Sequence, residues 1–547
     1  MERQKPDTTS NEIDLYIRTY YSLLRSTGEV RVRSFEEAHA VSKASLHAGA
    51  RDARPDIAAF GYAAARLPET MPRIERIVLG QSDETFESFG YDVSGWSELS
   101  TRGRRRCLRW DGAHTLAAYI ASASDIDDLV PIITAYQIEW NKMHELLERG
   151  EPGAASALEL EPEEHERLLE ALGSEAQASL AALREHPLDL RMRLLAGSFS
   201  EYQRASHLWW TGVEQAYLRD SAPRRPPVYF VSSNTHSLAN LLGGWALAHP
   251  ERLLPPSETG ETGETAQDAR ELYFAMRGLL RTDPGLLAEV QAWDRESGIF
   301  PAQNHAHVDV DAQVVEMSKL IPDRFDPRLQ MPGLEKLAES DARIINIDYP
   351  LGMAAYHLLT RVEQGAGPLL GVYVMGKAAT LNGQVGDVII SRVVHDVHSD
   401  NTYMLRNAFA ADDLAPYLEH GSVLDNQKAV TVRGAFLQNP NYLGVFYREG
   451  YTVLEMEAGP YLSAIYEGVD PRRHPNDELV DLGERARFEV GILHYASDTP
   501  NSRRQWLLSK SLGAFGMDAT YGCATAILRR ILSSELERLG KPLGPGT

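Results

Sequence analysis

Leu369-Leu-Gly-Val-Tyr-Val-Met375 and Asp387-Val-Ile-Ile-Ser391 are two short apolar runs, and the segment between them contains Gly383 and Gly386. β-Branched and aromatic residues bounded by glycine are typical of buried β-strands. Further runs of this kind are Val228-Tyr-Phe-Val231, Arg343-Ile-Ile-Asn-Ile347, Ala429-Val-Thr-Val-Arg433, Thr452-Val-Leu-Glu455 and Phe488-Glu-Val-Gly-Ile-Leu-His494. Helical segments follow several of them. This alternation predicts an α/β fold with a mostly parallel or mixed sheet flanked by helices.

The first 220 residues have a different pattern. Amphipathic stretches rich in Ala, Leu and Glu, from Ile126 to Leu147 and from Glu161 to Ala182, predict helices. The stretch Asp220-Ser-Ala-Pro-Arg-Arg-Pro-Pro227 cannot continue a helix, because proline lacks the backbone N–H. We therefore expect a mainly helical N-terminal domain over 1–220 and a second, α/β domain over 221–547. A polar, low-complexity segment at 255–265 is expected to be a mobile loop of this second domain.

The composition restricts the classes of partner. The chain has 547 residues with 55 Lys+Arg and 77 Asp+Glu, a formal net charge of −22, which disfavours nonspecific binding to nucleic acid. The one dense basic run, Arg102-Gly-Arg-Arg-Arg106, is expected to be a solvated loop, with a phosphate contact as the alternative. No stretch approaches the roughly 18 apolar residues that a membrane span needs.

Only two cysteines, Cys107 and Cys523, are present. Two cysteines can build neither a disulfide scaffold nor a thiolate metal site within one chain. We therefore expect a protein of the reducing cytoplasm, without a metal or another cofactor.

Three groups of residues at predicted strand ends could carry chemistry, since ligands of such folds bind at the carboxyl ends of strands. The first begins at Gly376, where a missing side chain lets a ligand approach the backbone; a simple tight connection is the alternative. The second is Glu455-Met-Glu457, whose carboxylates suit a sugar's hydroxyls, although an exposed rim would look the same. The third is Ser497-Asp498, where an acid or a helix cap would fit.

Together the three groups resemble the purine nucleoside phosphorylase superfamily over residues 341–535. The family's Gly-x-Ala-x-x-Leu-Asn and Gly-Asp-Val motifs are similar to Gly376, Ala378, Leu381, Asn382, Gly386, Asp387 and Val388. Its Met-Glu-Ala/Ser signature resembles Met456, Glu457 and Ala458, and its Ser-Asp pair resembles Ser497 and Asp498. The chain departs from the family at Ala379-Thr380, where glycines are usual.

The resemblance implies specific roles. Asp498 would protonate the leaving base and Glu457 would anchor the ribose. The substrate contacts would come from Met456, Glu455, Gly376, Lys377, Ala378, Ser497, His395, Tyr403 and Gly352. Of these, His395 and Tyr403 would stack on or hydrogen-bond to the substrate, although such residues are more often structural.

The acceptor of the reaction is a separate question. The glycine-rich loop with which phosphorylases hold phosphate is missing after Val231, where Ser232-Ser-Asn-Thr235 stands instead. The hydroxyls of this segment could still bind an anion. Water is therefore expected as the acceptor in preference to phosphate.

A competing metal site is a weaker hypothesis. His305, His307, Asp309 and Asp311 alternate with other residues, so on a β-strand their side chains would share one face. On a helix they would scatter.

The sequence thus predicts an enzyme that cleaves the N-glycosidic bond of a nucleoside or nucleotide by hydrolysis. We expect a small-molecule substrate and a homo-oligomer. The alternatives are a phosphate-dependent phosphorylase and a nucleotide-binding module that breaks no bond.

Overall fold

The computed structural model describes residues 12–26, 28–104, 106–149, 158, 160–219, 225–253, 269–499 and 513–540. Its helices are α1 (Glu12–Ser26), α2 (Arg33–Val41), α3 (Ile57–Ala65), α4 (Asp83–Ser88), α5 (Ala123–Arg149), α6 (Pro162–Leu172), α7 (Ala176–Glu185), α8 (Phe199–Tyr217), α9 (Thr235–Gly243), α10 (Trp245–Ala248), α11 (Ala269–Leu280), α12 (Pro284–Glu296), α13 (Met353–Gly365), α14 (Pro440–Arg448), α15 (Ala458–Val469) and α16 (Gly513–Gly540). Its strands are β1 (Val30–Arg31), β2 (Arg76–Gly80), β3 (Ser97–Leu99), β4 (Leu108–Trp110), β5 (Thr115–Tyr119), β6 (Arg191–Leu194), β7 (Val228–Ser233), β8 (Ile299–Pro301), β9 (Ala312–Glu316), β10 (Arg343–Asp348), β11 (Leu369–Thr380), β12 (Val388–Asp396), β13 (Asn401–Met404), β14 (Val423–Thr431), β15 (Tyr451–Glu455), β16 (Leu479–Asp481) and β17 (Glu489–Asp498). None of the described helices is long and apolar enough to span a bilayer.

The N-terminal sheet has six strands in the order β1-β6-β2-β5-β4-β3. Its central strands β6, β2 and β5 are parallel, and the strands at its edges pair antiparallel. The helices predicted over 126–147 and 161–182 are present as α5 and as the pair α6 and α7. The N-terminal region is thus rich in helices, as expected, but these helices pack on a sheet that the sequence pattern did not predict.

The C-terminal sheet has eleven strands, and five of them close into a ring. In the ring, β11 pairs with β17, β17 with β12, β12 with β14, β14 with β15, and β15 with β11 again. From β11 the sheet extends outward through β7, β10, β9 and β8. Helices α13 and α15 cover one face, and α9 and α16 cover the other. The α/β class with a mixed sheet flanked by helices is confirmed.

The two sheets are joined by a shared core. Phe436 and Leu437, which follow β14, are buried in the apolar cluster of the N-terminal sheet. The Phe436 ring contacts His39, His47 and Tyr62. The domain boundary predicted near residue 221, and the loop predicted at 255–265, lie outside the described residues. The division into domains stays a prediction.

Candidate active site

The candidate site lies at the end of β11, between two neighbouring strands of the ring. Ala379 of β11 is paired with Leu454 of β15 on one side and with Asp498 of β17 on the other. Glu457 follows β15 and stands at the N-cap of α15, and Asp498 is the last residue of β17. The structure therefore places the two predicted catalytic carboxyl groups on opposite sides of one strand end.

The Met456-Glu457 turn is held from behind by Glu455. Glu455 is almost fully buried, and its Oε2 accepts hydrogen bonds from the backbone N–H of Glu457 and of Ala458, both at 2.7 Å. Its Oε1 accepts the hydroxyl hydrogen of Thr431. Burial raises the pKa of Glu455 to about 7. With both oxygens already occupied within the protein, this carboxyl group supports the turn, and the structure does not favour the predicted direct contact with substrate.

Glu457 is half-buried and its carboxyl group holds its proton unusually well. Burial and the neighbouring Glu455 raise the pKa of Glu457 to about 8. The positive charge of Arg104 and the backbone N–H groups of Met456 and Gly352 favour the ionised form and oppose this rise. The group therefore changes charge near neutral pH, as is common for residues that bind or react.

Asp498 is also half-buried, beside Ser497, whose hydroxyl donates to the Ala378 carbonyl at 3.4 Å. Burial raises the pKa of Asp498, against the Ser497 hydroxyl and the positive charges of Arg66 and Lys377. A carboxyl group of this kind keeps its proton to a higher pH than an exposed aspartate does, which a general acid requires.

The N-terminal region reaches the site at the loop before α13. The backbone N–H of Met353 donates to Ser124 Oγ at 2.9 Å. Gly352 has a positive φ of 51°, and a Cβ added there would lie 2.2 Å from Ser124 Oγ. Glycine is therefore required at this contact. The predicted substrate residue Gly352 thus lies at the junction between the two regions of the chain.

Arg104 and Arg106 correct the expectation of a solvated basic loop. The Arg106 side chain is 3% exposed and bonds Asp125 at 2.8 Å and Asp128 at 3.0 Å. The Arg104 side chain, 20% exposed, pairs with Asp309 at 3.1 Å and lies within electrostatic range of Glu457. Both arginines are held inward because buried carboxylates need a counter-charge.

Strand lengths also differ from the prediction. Gly376 does not end its strand, because β11 runs on through Lys377 and Ala378 to Thr380. Among the described residues, an added Cβ at Gly376 would lie within 4 Å only of His494 Cδ2, at 3.7 Å, so protein packing does not require glycine there; the predicted approach of a ligand to this backbone stays a prediction. Lys377 is exposed, and Ala378 is buried. Met456 packs its partly buried side chain against the apolar cluster around Phe446.

The segment Ser232–Thr235 is engaged in bonds within the protein. Ser232 and Ser233 are the buried last residues of β7, and Ser233 Oγ donates to Asn346 Oδ1 at 2.7 Å. Asn234 Oδ1 caps α9 by accepting from Ser237 N at 2.7 Å. The Thr235 carbonyl accepts from Gln313 Nε2. Ser232 lies close to Tyr461, as does Glu457, so the end of β7 borders the Glu457 side of the site.

His395 lies on strand β12 and Tyr403 on strand β13. His395 is 4% exposed, and its Nδ1 lies 3.2 Å from Thr402 Oγ1. Tyr403 is fully buried, with its hydroxyl oxygen 3.2 Å from Asn401 Nδ2. These side chains are part of the core, because the strands extend further than their apolar runs suggested. The structure therefore does not favour their predicted contact with substrate.

The metal hypothesis required residues 305–311 to form a β-strand, and this requirement is not met. The segment is neither strand nor helix, and β9 begins only at Ala312. His307 instead lies near Asp83, and Asp309 pairs with Arg104. Among the described residues, no group of three or more His, Cys, Asp or Glu side chains is arranged to hold a metal ion.

Several solved structures are similar to part of this chain. A 5′-methylthioadenosine/S-adenosylhomocysteine nucleosidase from Neisseria meningitidis, in complex with methylthio-immucillin-A, has 12% identity and a TM-score of 0.31 over 56% of this chain and 99% of its own. The corresponding Campylobacter jejuni enzyme has 10% identity and a TM-score of 0.31, over 56% of this chain and 99% of its own. The Arabidopsis thaliana 5′-methylthioadenosine nucleosidase has 8% identity and a TM-score of 0.29, over 58% of this chain and 97% of its own. At this level the similarity decides neither fold nor activity.

No curated protein matches the sequence. A family model does, over residues 32–533, and its description is "Family of unknown function (DUF6909)". Because this match spans nearly the whole chain, from α2 to α16, the protein belongs to that family.

Proposed function

We propose that this protein hydrolyses the N-glycosidic bond of a nucleoside or nucleotide and releases the free base. The observation that carries the proposal is the placement of Asp498 and Glu457, two carboxyl groups with raised pKa, on opposite sides of the end of β11. Cleavage of this bond passes through a cationic, oxocarbenium-like sugar and leaves a basic ring nitrogen. The reaction therefore needs a proton donor at the leaving base and a negative charge beside the sugar.

Asp498 would supply the proton. Because burial raises its pKa, a larger fraction of the group is protonated near neutrality than for an exposed aspartate. Lys377 and Arg66 nearby would stabilise the carboxylate that remains after the proton moves to the base. The base would then lie along the last residues of β11, next to Ala378.

Glu457 would hold the ribose and stabilise its positive charge. Its backbone is fixed through Glu455, so the carboxyl group needs little rearrangement on binding. In the free protein the pKa of about 8 reflects a site that solvates the anion poorly. Ribose hydroxyls that donate to this group, and a cation that forms beside it, would both favour ionisation.

Water is the acceptor that the site supports best. Phosphorolysis needs several free donors around a dianion. Ser233 and Asn234 instead use their side chains within the protein, and no glycine-rich loop follows β7. A phosphate-dependent phosphorylase and a non-catalytic binding module remain the alternative functions.

The test is incubation of the full chain with purine and pyrimidine ribonucleosides and their 5′-monophosphates, each with and without inorganic phosphate. Chromatography then measures the free base and the sugar product. We expect the free base together with free ribose or ribose 5-phosphate, at a rate that does not depend on phosphate. A sugar 1-phosphate formed only with phosphate would establish the phosphorylase alternative. Binding of a nucleotide without release of base from any substrate would favour the binding module.

A further inference from the structure

Three basic side chains from separate segments converge on the end of β11. They are Lys377 of β11, Arg277 of α11 and Arg66, which caps the C-terminus of α3. Desolvation by the surrounding protein and the positive charges of Arg277 and Arg66 lower the pKa of Lys377. Among the described residues, no carboxylate forms a salt bridge with any of the three. Like charges without a counter-charge repel one another, so this basic cluster favours a bound anion.

The position of Lys377 follows from the pleat of β11. Tyr373 and Met375 are buried in the core under α9 and α16, and alternate residues of a strand share one face. Lys377 is the next residue on that face, and its register partner on β17, Tyr495, belongs to the same core. Lys377 itself is exposed. Its ammonium group therefore leaves the core at the carboxyl end of β11, on the side of α9 and α16.

Contacts between α11 and α16 place Arg277 on the same side of the sheet. The Tyr273 ring of α11 stacks on Tyr521 of α16, with 4.7 Å between the ring centroids. Arg277 follows Tyr273 by four residues, so the two side chains are neighbours on one face of the helix. The Tyr521 hydroxyl accepts from Asn240 Nδ2 at 2.7 Å, on the helix that begins shortly after β7. The exposed Arg277 thus lies near the carboxyl ends of the central strands, where its charge also reaches Tyr495.

Arg66 brings the third charge from the N-terminal region. Its guanidinium carbon lies 3.5 Å from the centroid of the Tyr62 ring, and its Nη1 donates to the Tyr62 carbonyl at 3.2 Å. These contacts fix a half-buried side chain whose charge acts on both Lys377 and Asp498. Both regions of the chain therefore contribute to the basic cluster beside Asp498.

The basic cluster suits a phosphate group. Arginine binds phosphate oxygens through paired N–H donors, and lysine binds them as a point charge. The proposed reaction needs Asp498 in its neutral, protonated form, so this carboxyl group would not neutralise the cluster. In a nucleotide the base and the 5′-phosphate project from the same face of the ribose. A phosphate group can therefore reach cations that lie beside the residue that protonates the base.

We propose that the basic cluster binds the 5′-phosphate of the substrate, so that the substrates are nucleoside 5′-monophosphates. This inference rests on the proposed function, because it takes the base beside Asp498 and the ribose beside Glu457 as given. Inorganic phosphate offers the same chemistry as the phosphate group of a nucleotide, so the test has to separate these two sources.

The first test measures binding of ribose 5-phosphate, which carries the sugar and phosphate of a ribonucleotide but has no N-glycosidic bond to cleave. Ribose and inorganic phosphate are the comparison ligands. Calorimetry on the full chain should give a Kd for ribose 5-phosphate on the order of 0.1–1 mM, and each comparison ligand should bind at least about tenfold more weakly, a difference of about 1.4 kcal/mol. Inorganic phosphate that bound as tightly as ribose 5-phosphate would indicate a site for free phosphate and overturn the proposal. Equal binding of ribose, or no binding of ribose 5-phosphate, would overturn it as well.

Arg277→Met tests the cluster at a residue that has no part in the proposed cleavage. Loss of its charge-assisted hydrogen bonds should weaken binding of ribose 5-phosphate about tenfold or more. Arg281→Met, at an exposed position directly after α11, removes the same charge and is the matched control; it should leave the Kd unchanged. Circular dichroism confirms the fold of both variants. Full affinity in Arg277→Met, or an equal loss in the two variants, would contradict the phosphate site.

Kinetics separates this inference from the proposed function. The wild-type kcat/KM for base release should be at least about tenfold higher for 5′-monophosphates than for nucleosides, and Arg277→Met should remove this preference without changing nucleoside hydrolysis. Base release from nucleosides without any preference for the monophosphates would overturn the phosphate site and leave the proposed function in place. Binding of ribose 5-phosphate as expected, without base release from any substrate, would support the phosphate site and overturn the proposed cleavage.

Discussion

The two sheets both place carboxyl groups near the ends of parallel strands, but they neutralise them differently. In the N-terminal region Arg106 pairs with Asp125 and Asp128, and Arg109 pairs with Asp83. Burial tends to raise the pKa of Asp83. The pKa is nevertheless lowered by the Tyr119 hydroxyl, His307 and Arg109. In the C-terminal sheet, neither Glu457 nor Asp498 forms a salt bridge with a described lysine or arginine, and burial raises both pKa values.

This difference separates charges that stabilise the fold from groups that can exchange a proton. A carboxylate paired with arginine stays ionised and holds its neighbours in place. A buried carboxyl group without such a pair keeps its proton to a higher pH than an exposed one does, and groups of this kind cluster where chemistry occurs. Substitutions in the two sets of carboxyl groups should therefore have different effects: loss of stability in the N-terminal sheet and loss of activity in the C-terminal sheet.

The largest effect is expected for Asp498→Asn. The amide keeps the shape of the side chain but cannot donate the acid's proton, so kcat should fall by about 10²–10⁴-fold while substrate affinity changes much less. Steady-state kinetics of base release measures both. Asp481→Asn, at the exposed end of β16, is the matched control and should leave kcat unchanged. An Asp498→Asn protein with nearly full activity would show that Asp498 has no role as the acid.

Arg106→Met tests the N-terminal set. The substitution leaves Asp125 and Asp128 buried without their counter-charge, which should lower the free energy of unfolding by about 3–5 kcal/mol. Thermal unfolding followed by circular dichroism should show a Tm lower by roughly 3–4 °C, because a chain of 547 residues has a large entropy of unfolding. Arg18→Met, at an exposed position of α1, is the control and should change Tm little. If the two variants have the same Tm, the buried ion pairs of Arg106 do not stabilise the fold more than an exposed arginine does.

Glu457→Gln tests the ribose contact. The amide cannot become an anion, so kcat/KM should fall about 10- to 100-fold, the range of a charge-assisted hydrogen bond. The loss should be larger for ribonucleosides than for 2′-deoxyribonucleosides, which lack one of the donating hydroxyls. Parallel kinetics on both substrate classes decides the point. Equal relative losses on the two classes would contradict the assigned role.

The smallest effect concerns stability and pH. The pKa of Glu457 is about 8 in the folded protein, against 4.5 for an ordinary glutamate. Protonation of Glu457 therefore stabilises the fold below about pH 4.5, and this contribution is lost as the pH rises to about 8. Glu457→Gln does not titrate, so its Tm relative to wild type should increase through this window by about 2–4 °C and level off above it. A Tm difference that does not vary with pH would show that folding does not raise the pKa of Glu457.

The parts of the site that the sequence predicted are those set by local pattern. Thr452 to Glu455 is a β-branched run, and a residue directly after such a run lies at a strand end, which located Glu457 correctly at the start of α15. The same reasoning located Asp498. The lengths of β11 and β12 were underestimated, because glycine, lysine and histidine inside a strand interrupt the apolar pattern.

The parts that could not be predicted depend on distant partners. The strands of the N-terminal sheet have five residues or fewer, too short for a periodic signal, and β5 reads Thr-Leu-Ala-Ala-Tyr, which also suits a helix. Arg104 and Arg106 looked like a solvated run because their partners are residues that only folding brings near. The supporting role of Glu455 depends on Thr431, which comes from another strand.

The contacts of Ser124 and Phe436 determine how far this protein can be divided. A fragment that began at residue 225 would lose the acceptor of the Met353 N–H and the guanidinium near Glu457, and it would expose Phe436 and Leu437 to water. Such a fragment would contain all three groups of strand-end residues recognised in the sequence and still lack a complete site. Gene fusions and domain transplants that use this protein would therefore have to carry both sheets as one unit.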